Sequence, residues 1–268
     1  MDWHSQPSQL GCHCWKPQDR SLFRSSPLLF IRYINDLPKS SAFYTVLYAD
    51  DIYLCLSHKH LENLQHMVNV ELIKVDNWLR SNKFFLNYSK STIMLTKSLK
   101  NNSNLPETCL FQIKINDSCF QRTTWAKHLE VLIDSLLDWS SHVQYIKSKL
   151  VRASYLFYKI QHVVSVDVLN MLYFSLVPCH LKYCIVSWGA ATNSVLQPLE
   201  VVHNNILLTI TYNNYRCHIK PVYKSLNILK LHDIYKLELA KLMALISPWN
   251  VANITERFVS ENGWSSLS

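Results

Sequence analysis

Hydrophobic residues recur along this chain at two kinds of spacing, and each kind predicts a different element. Steps of three or four residues are typical of amphipathic helices, whereas runs of β-branched, aromatic and aliphatic residues bounded by polar turns are typical of strands. The helical spacing occurs at Leu61, Leu64, Val68, Leu72, Val75 and Leu79, and again at Val143, Ile146, Leu150, Ala153, Phe157 and Ile160. Two long helices, each with one apolar face, are therefore predicted.

A strand-like run on each side of a short polar centre predicts a β-hairpin with a tight turn. The run extends from Phe43 to Leu56, and its centre carries the adjacent carboxylates of Asp50 and Asp51. Two carboxylates about 4 Å apart repel each other by roughly 4 kcal/mol at an effective dielectric near 20, so they favour a shared proton or a bound divalent cation. Hard oxygen ligands suit Mg²⁺ or Mn²⁺. The sequence therefore predicts a metal site at the tip of this hairpin.

Shorter patterns predict the other elements in the first half of the chain. A helix is expected over residues 28–37, because the apolar run there stops before Pro38. Short strands are expected over residues 84–87, 91–96 and 111–115, and a surface loop is expected over residues 98–110. A helix that lies across a hairpin and is followed by further strands makes an α+β layer architecture.

The two ends and the second half of the chain differ from this pattern. Residues 1–24 show neither spacing and are expected to form a disordered leader. Helical spacing returns after the second long helix, so a helical region is expected over residues 141–246. Residues 247–268 are expected to form a tail. The folded part is thus divided into an α+β segment over residues 25–140 and the helical region.

Composition adds that the chain is globular and basic. Of its 268 residues, 49% are hydrophobic and 17% are charged, and the formal net charge is +8. This balance supports a packed core and permits nucleic-acid binding, although an ordinary basic surface can carry the same charge. The chain has three glycines, whereas the usual frequency is roughly 7%. Turns with positive φ are therefore expected to be rare or to use asparagine.

Zinc proteins and membrane proteins are both disfavoured. The eight cysteines include Cys12-His13-Cys14, but no second half at zinc-finger spacing accompanies them. Free thiols in a reducing compartment are expected instead. The most apolar long stretch, residues 166–190, is interrupted by charged and polar residues that a bilayer would not accommodate comfortably. We therefore expect an intracellular protein, nuclear or cytoplasmic, without a targeting or membrane segment.

Three blocks of sequence stand in a fixed order around the acidic hairpin. The central block is Tyr48-Ala49-Asp50-Asp51 between two apolar strands. Before it stands Pro27-Leu28-Leu29-Phe30-Ile31-Arg32-Tyr33-Ile34-Asn35-Asp36-Leu37-Pro38, and after it stand Trp78-Leu79, Asn82-Lys83, Leu86-Asn87 and Lys90. In this order the blocks resemble the reverse transcriptases of non-LTR retrotransposons of the jockey type. A lone Tyr-x-Asp-Asp occurs by chance in many proteins, so the resemblance rests on all three blocks.

The resemblance implies an RNA-directed DNA polymerase that uses an RNA template, a DNA primer, nucleoside triphosphates and two metal ions, Mg²⁺ or Mn²⁺. It implies a partial polymerase palm followed by a helical, thumb-like region. Asp50 and Asp51 match metal-binding catalytic acids of the family. Lys90 matches a lysine considered for protonating the departing pyrophosphate, with a solvated turn lysine as the alternative. No further small-molecule cofactor and no membrane partner are implied.

Two further segments are similar to parts of that family. His128-Leu129-Glu130-Val131 looks like the Tyr-Leu-Gly-Val hairpin that grips the primer end, with Glu130 in place of the glycine. A carboxylate at this position would repel a primer phosphate and so oppose the grip. The cations of the helix over residues 143–160 match a thumb that follows a duplex, although a solvated helix face has the same pattern. These candidate nucleic-acid-binding residues are Lys147, Lys149, Arg152 and Lys159.

A two-metal site in this family takes carboxylates from two separate strands, and the sequence matches the hairpin strands alone. Asp2 and Asp19 have no strand pattern around them, and the fingers find no match. We therefore expect a truncated, inactive reverse transcriptase with an open sheet edge beside the hairpin. The alternatives are a non-catalytic nucleic-acid-binding module and a relic without a selected role.

Overall fold

The fold combines helices with small, mostly antiparallel sheets, which confirms the predicted α+β class. The computed structural model describes residues 8–13, 27–49, 51–84, 86–87, 91–96, 113–115, 118–214 and 216–246. The chain divides into two compact units, residues 1–137 and 138–268. Among the described residues, no helix is both long enough and apolar enough to cross a membrane.

The first unit is built on a five-stranded sheet. Along the chain its elements are β1 (Ser8–His13), α1 (Pro27–Ile34), a 3₁₀ turn (Leu37–Lys39), β2 (Tyr44–Tyr48), β3 (Asp51–His58), α2 (Leu61–Ser81), β4 (Thr92–Thr96), β5 (Lys114–Ile115), β6 (Ser118–Cys119), β7 (Gln121–Arg122), β8 (Trp125–His128) and β9 (Val131–Asp134). The sheet order is β2-β3-β1-β4-β7, and its pairs are antiparallel except for β4 with β7. The strands β5–β6 and β8–β9 form separate hairpins.

β1 lies inside the sheet, paired with β3 on one side and with β4 on the other. Leu10 of β1 pairs with Leu56 of β3 and with Leu95 of β4. The expected disordered leader is therefore wrong for residues 8–13. β1 occupies the place beside β3 where an open edge was expected, and β2 is the strand of the hairpin at the edge of the sheet. No alternation in the sequence indicates β1. Its place is fixed instead by main-chain hydrogen bonds to the strands on both sides.

α2 covers one face of the sheet and confirms the first predicted helix. Its apolar stripe packs in one hydrophobic core with residues of β3 and β4. The buried members are Leu64, Val68, Leu72, Val75 and Leu79 from the helix and Ile52, Leu54, Ile93 and Leu95 from the strands. Since side chains alternate between the two faces of a strand, Tyr53 and Met94 belong to the opposite face.

The helix predicted over residues 28–37 is shorter in the structure. α1 ends at Ile34, and a 3₁₀ turn that contains Pro38 follows at Leu37–Lys39. Pro38 has no N–H that could donate to the carbonyl of Ile34, four residues before it, so the hydrogen bonds of an α-helix cannot continue at this point. The helix therefore breaks earlier than its apolar run suggests.

Of the short strands predicted after α2, the one over residues 91–96 is present as β4. The one over residues 111–115 is present at Lys114–Ile115 as β5, and its first two residues lie outside the described residues. The strand predicted over residues 84–87 is wrong for its described residues. The ring of Phe84 packs instead against those of Phe30, Tyr33 and Trp78. Aromatic packing on α1 and α2 thus replaces sheet pairing at this point. The predicted loop over residues 98–110 lies outside the described residues.

Two carboxylates of α2, Glu71 and Asp76, are buried. Glu71 accepts hydrogen bonds from Lys74 Nζ at 2.6 Å and from the backbone N–H of Ala42 at 2.7 Å, and both lower its pKa. Asp76 accepts a hydrogen bond from Arg80 Nε at 2.7 Å. Buried charges need such partners, so these acids are structural. Glu71 ties α2 to the segment that leads into β2.

Positive φ is more frequent than the glycine content predicts. Nine described residues other than glycine have positive φ, and only one of them, Asn227, is asparagine. The expectation that such turns are rare or use asparagine is therefore wrong. Each left-handed conformation costs a non-glycine residue roughly 1–2 kcal/mol, which the surrounding packing has to offset.

The second unit is helical. Its helices are α3 (Ser140–Ile160), α4 (Val166–Leu176), α5 (Pro178–Lys182), α6 (Ile185–Trp188), α7 (Asn193–Ile210), α8 (Ile219–Ser225) and α9 (Leu231–Ile246). The predicted apolar stripe of α3 is confirmed, since Val143, Ile146, Leu150 and Phe157 are buried in one core with Tyr173 and Trp188. A side chain at Gly189 would come within 2.6 Å of the Tyr235 ring, so α6 and α9 pack closely there.

A histidine with both ring nitrogens in hydrogen bonds lies inside this core. His203 is 1% exposed, with Nε2 2.7 Å from the Tyr173 hydroxyl and Nδ1 3.2 Å from the Tyr223 hydroxyl. The Tyr223 hydroxyl donates to Asn204 Oδ1, so its oxygen accepts from His203 Nδ1–H. Nε2 then accepts the proton of Tyr173, and the ring is neutral. Burial lowers the pKa of His203 to about 4.

We expect the helical unit to lose stability as the pH falls from about 6.5 to about 4, because the unfolded chain binds a proton at His203 that the folded chain does not. The loss from this histidine alone is about 3 kcal/mol. Burial also lowers the pKa of His142 to about 4, so a second histidine adds to the same trend.

The measurement is urea unfolding, followed by circular dichroism, between about pH 6.5 and pH 4.5. His203→Gln should make the dependence of the unfolding free energy on pH shallower by about 1.4 kcal/mol per pH unit. His218→Gln, at an exposed position, serves as the matched control. Equal slopes in His203→Gln and in the unmodified chain would contradict a neutral buried ring.

Candidate active site

β2 and β3 form the hairpin predicted around the acidic pair. Their antiparallel register runs from Tyr44 with Cys55 to Tyr48 with Asp51, which leaves a two-residue turn. Ala49, the first turn residue, has a φ of 49°, as the tight turns of β-hairpins require. Asp51 is half-buried and begins β3. The other predicted catalytic residues, Asp50 and Lys90, lie outside the described residues.

Alternation along the hairpin assigns Asp51 to the face of the sheet opposite the core. Ile52 and Leu54 belong to the core face, so Asp51 and Tyr53 belong to the other face. Tyr48, which pairs with Asp51, shares that face. Tyr48 is 58% exposed and Tyr53 is 7% exposed. Asp51 therefore lies between an open part and a covered part of this surface.

The β8–β9 hairpin covers the sheet at Tyr53. β8 approaches both β1 and β4. The ring of His128, the last residue of β8, meets the ring of Tyr53 edge to face with 3.9 Å between the centroids. Burial lowers the pKa of His128, and the negative charge of Asp51 acts in the opposite direction. Asp51, Tyr53 and His128 are thus brought together at one place on the sheet.

β1 is the strand that borders β3 on its other side. It runs antiparallel to β3, and Cys12 near its end pairs with Leu54. Its sequence, Ser-Gln-Leu-Gly-Cys-His, contains no carboxylate. Within the described ranges, no three His, Cys, Asp or Glu side chains are grouped so that they could hold a metal ion. β3 supplies the carboxylate of Asp51 to this surface, and β1 supplies none.

The predicted nucleic-acid-binding cations lie on α3, in the second unit. Arg152 and Lys159 are exposed, whereas Lys147 and Lys149 are half-buried. α3 contains no acidic residue. The ammonium groups of Lys149 and Lys159 lie 5.2 and 5.5 Å from the ring centroids of Tyr145 and Tyr155, within the range of a cation–π contact. The helix therefore presents positive charge and aromatic rings together.

Comparison with protein families finds one family model that matches the part of the chain with this hairpin. The model of the reverse transcriptase (RNA-dependent DNA polymerase) family matches residues 23–156, half of the 268-residue chain. The chain belongs to the reverse transcriptase family. Neither the curated proteins nor the solved structures contain a match to it. In this reverse transcriptase the matched span includes the acidic hairpin, the β8–β9 hairpin and most of α3, whereas β1 precedes it.

Reasoning from sequence misses two features of the candidate site, which are the place of β1 and the contact of His128 with Tyr53. β1 has no alternating pattern, so nothing in the sequence indicates its place beside β3. His128 carries a weak signal in the sequence, because it stands two positions after the apolar Ala126, with the charged Lys127 between them. Such alternation predicts that Ala126 and His128 face the same surface. The identity of that surface follows only from the contact with Tyr53.

The turn of the β8–β9 hairpin contains two residues with positive φ. His128 pairs with Val131, so the turn consists of Leu129 and Glu130, with φ values of 45° and 66°. Positive φ at both positions defines a type I′ turn, in which glycine is preferred at the second position. Glu130 occupies this second position. Its exposed carboxylate forms an ion pair of 2.6 Å with Lys127.

We expect Glu130→Gly to raise the free energy of unfolding of this reverse transcriptase by about 1 kcal/mol, because glycine adopts positive φ without steric cost. Thermal unfolding of the unmodified chain, the Glu130→Gly variant and the Glu130→Ala variant measures this. The alanine variant is the control, because it removes the same carboxylate but keeps the positive φ of a residue with a side chain. Lys127→Ala reports the exposed ion pair, which should contribute less than about 1 kcal/mol. A glycine variant no more stable than the alanine variant would show that the turn is not strained.

Proposed function

We propose that this chain carries part of the palm and the thumb-like region of an RNA-directed DNA polymerase from a non-LTR retrotransposon of the jockey type. The observation that carries the proposal is the pairing of Tyr48 with Asp51 across the hairpin, on a sheet that α2 covers from the other face. The order of the sequence blocks from Pro27 to Lys90 supports the jockey type. An RNA template, a DNA primer and nucleoside triphosphates are the proposed partners.

The residue roles follow from the same proposal. Asp50 and Asp51 are the proposed metal-binding acids, and Lys90 is the proposed general acid for the departing pyrophosphate. Mg²⁺ or Mn²⁺ are the ions that suit carboxylate ligands. The place of Asp51 supports its role, since a half-buried carboxylate at a turn is open to substrate and is held by the strand that follows.

Within the part of the chain that the structure describes, the residues do not fit a two-metal site on their own. Such a site takes carboxylates from two neighbouring strands, and β1, which borders β3, has none. We therefore propose that this chain is a partial reverse transcriptase and does not extend primers by itself. An element that carried the missing acid would have to take the place beside β3 that β1 holds.

We expect the chain alone to add no nucleotides to a DNA primer annealed to an RNA template, with either Mg²⁺ or Mn²⁺, because its carboxylates cannot clamp both reacting oxygens. Gel analysis of primer extension measures this, with a complete reverse transcriptase as the positive control. Asp50→Ala and Asp51→Ala test any residual extension, and Asp36→Ala is the matched variant of an exposed acid. Extension that Asp36→Ala retains and the hairpin variants abolish would overturn the proposed inactivity.

A second candidate function is nucleic-acid binding without catalysis. The observation that favours it is α3, where Lys147, Lys149, Arg152 and Lys159 occur without any acidic residue. Cationic side chains along a helix can follow a phosphate backbone. The chain's net charge of +8 supports the same function. Nucleic-acid binding by α3 would not require catalysis at the acidic hairpin.

We expect binding to an RNA–DNA hybrid that weakens as salt increases, because each phosphate contact releases counterions. In fluorescence anisotropy titrations, a variant with all four α3 cations changed to glutamine should lose most of this salt dependence, up to about 0.9 in logarithmic slope per contact. A Lys224→Gln, Lys236→Gln variant removes exposed cations from other helices and is the control. Affinity independent of salt, or no binding, would exclude this function.

A further inference from the structure

We propose that the exposed face of α3 binds single-stranded nucleic acid by stacking bases on Tyr155 and Tyr158. The inference rests on the nucleic-acid contact proposed above for the cations of this helix, and it specifies the kind of strand that is bound. The two rings are 63% and 61% exposed. They are therefore large apolar surfaces in water on a helix whose charge is entirely positive.

The two tyrosines form one stripe along the helix. At 3.6 residues per turn, Tyr158 lies about 60° around the axis from Tyr155, and Val151 lies about 40° from it on the same side. Val151 is 47% exposed. The buried stripe of Ile146, Leu150 and Phe157 occupies the opposite side of the helix. The rings of Tyr155 and Tyr158 lie about 4.5 Å apart in height along the axis, which suits neighbouring bases of one strand.

Cations border this tyrosine stripe on one side. Lys159 and Arg152 lie about 40° and 60° around the axis from Tyr155 and close to it along the helix, whereas Lys147 is about 12 Å from Tyr155 along the axis. The Lys159 ammonium group lies 5.5 Å from the centroid of the Tyr155 ring. A phosphate backbone that runs beside stacked bases would meet positive charge on that side of the rings. Such a combination of rings and cations is typical of surfaces that bind single strands.

The exposed rings distinguish a single strand from a duplex. In a duplex the faces of the bases are stacked inside the helix, so phosphates would engage the cations and leave both tyrosines in water. Unpaired bases present their faces and can stack on aromatic side chains. A protein partner would have to be acidic to match this positively charged face. Binding through the α3 cations alone would give no preference for ligands that carry bases. The geometry therefore favours a single strand.

The test compares ligands with the same number of phosphates. Fluorescence anisotropy with the full chain measures binding of a labelled oligo-dT, an oligo-U, an abasic oligonucleotide of equal length, and a duplex. We expect the base-containing single strands to bind at least about five-fold more tightly than the abasic strand for each base that stacks. We expect the duplex to resemble the abasic strand. This comparison needs no variant, so it is independent of any folding defect.

Variants then assign the effect to the tyrosines. Tyr155→Ser with Tyr158→Ser should lower affinity for oligo-dT to that of the abasic strand, and Tyr155→Phe with Tyr158→Phe should retain it, because a phenyl ring still stacks. Met171→Ser with Phe174→Ser removes exposed apolar side chains from α4 instead, where they are 70% and 56% exposed, and should leave affinity unchanged.

The outcomes separate this inference from the proposed function. Equal binding of single strand, abasic strand and duplex, unaffected by the serine variants, would overturn the stacking surface while leaving the nucleic-acid contact intact. Absence of binding to every ligand would overturn both. Loss of affinity in the α4 control to the same degree as in the α3 variant would also overturn the assignment to Tyr155 and Tyr158.

Discussion

The two-fold alternation of β3 is the constraint on which the candidate active site depends. Ile52 and Leu54 are buried under α2, and this burial fixes which face of the strand is turned inward. Asp51 and Tyr53 are then directed to the opposite face, because a slip of one residue would bury the carboxylate and expose the core residues. Pairing with β2 and β1 on either side makes that register unique. The acidic hairpin is therefore positioned by the apolar residues between its polar ones.

The covered half of this face shows how the sheet and the second hairpin depend on each other. The edge-to-face contact of His128 with Tyr53 joins β8 to β3. The turn at Leu129 and Glu130, where both residues have positive φ, connects β8 to β9. Because the chain has three glycines, it makes such turns with non-glycine residues. Each of these residues with positive φ costs roughly 1–2 kcal/mol of stability. Local strain of this kind persists only where the surrounding structure determines the conformation, which at Leu129 and Glu130 is the pairing of β8 with β9.

Membership of the reverse transcriptase family and the chemistry of this chain are separate matters. The family model covers the hairpin and most of α3, yet the strand inside the sheet, β1, has no acid to offer beside Asp51. Catalysis by two metal ions depends on several carboxylates held at once, whereas binding to phosphates depends on cations that act almost independently. A chain can therefore lose the first property and keep the second. α3, with its four cations and exposed tyrosines, is the element for which we propose the second property.

The sequence by itself determined the acidic hairpin, the helices α2 and α3, the α+β class and the family resemblance, because these depend on local periodicity and on adjacent residues. Only the tertiary structure decided the place of β1, the end of α1 at Ile34 and the packing of Phe84 on α1 and α2. It alone brought His128 to Tyr53 and buried Glu71 and His203. The physical reason is that strand pairing, ring contacts and the satisfaction of buried polar groups join residues far apart in the chain, and such partners leave no periodic pattern in the sequence.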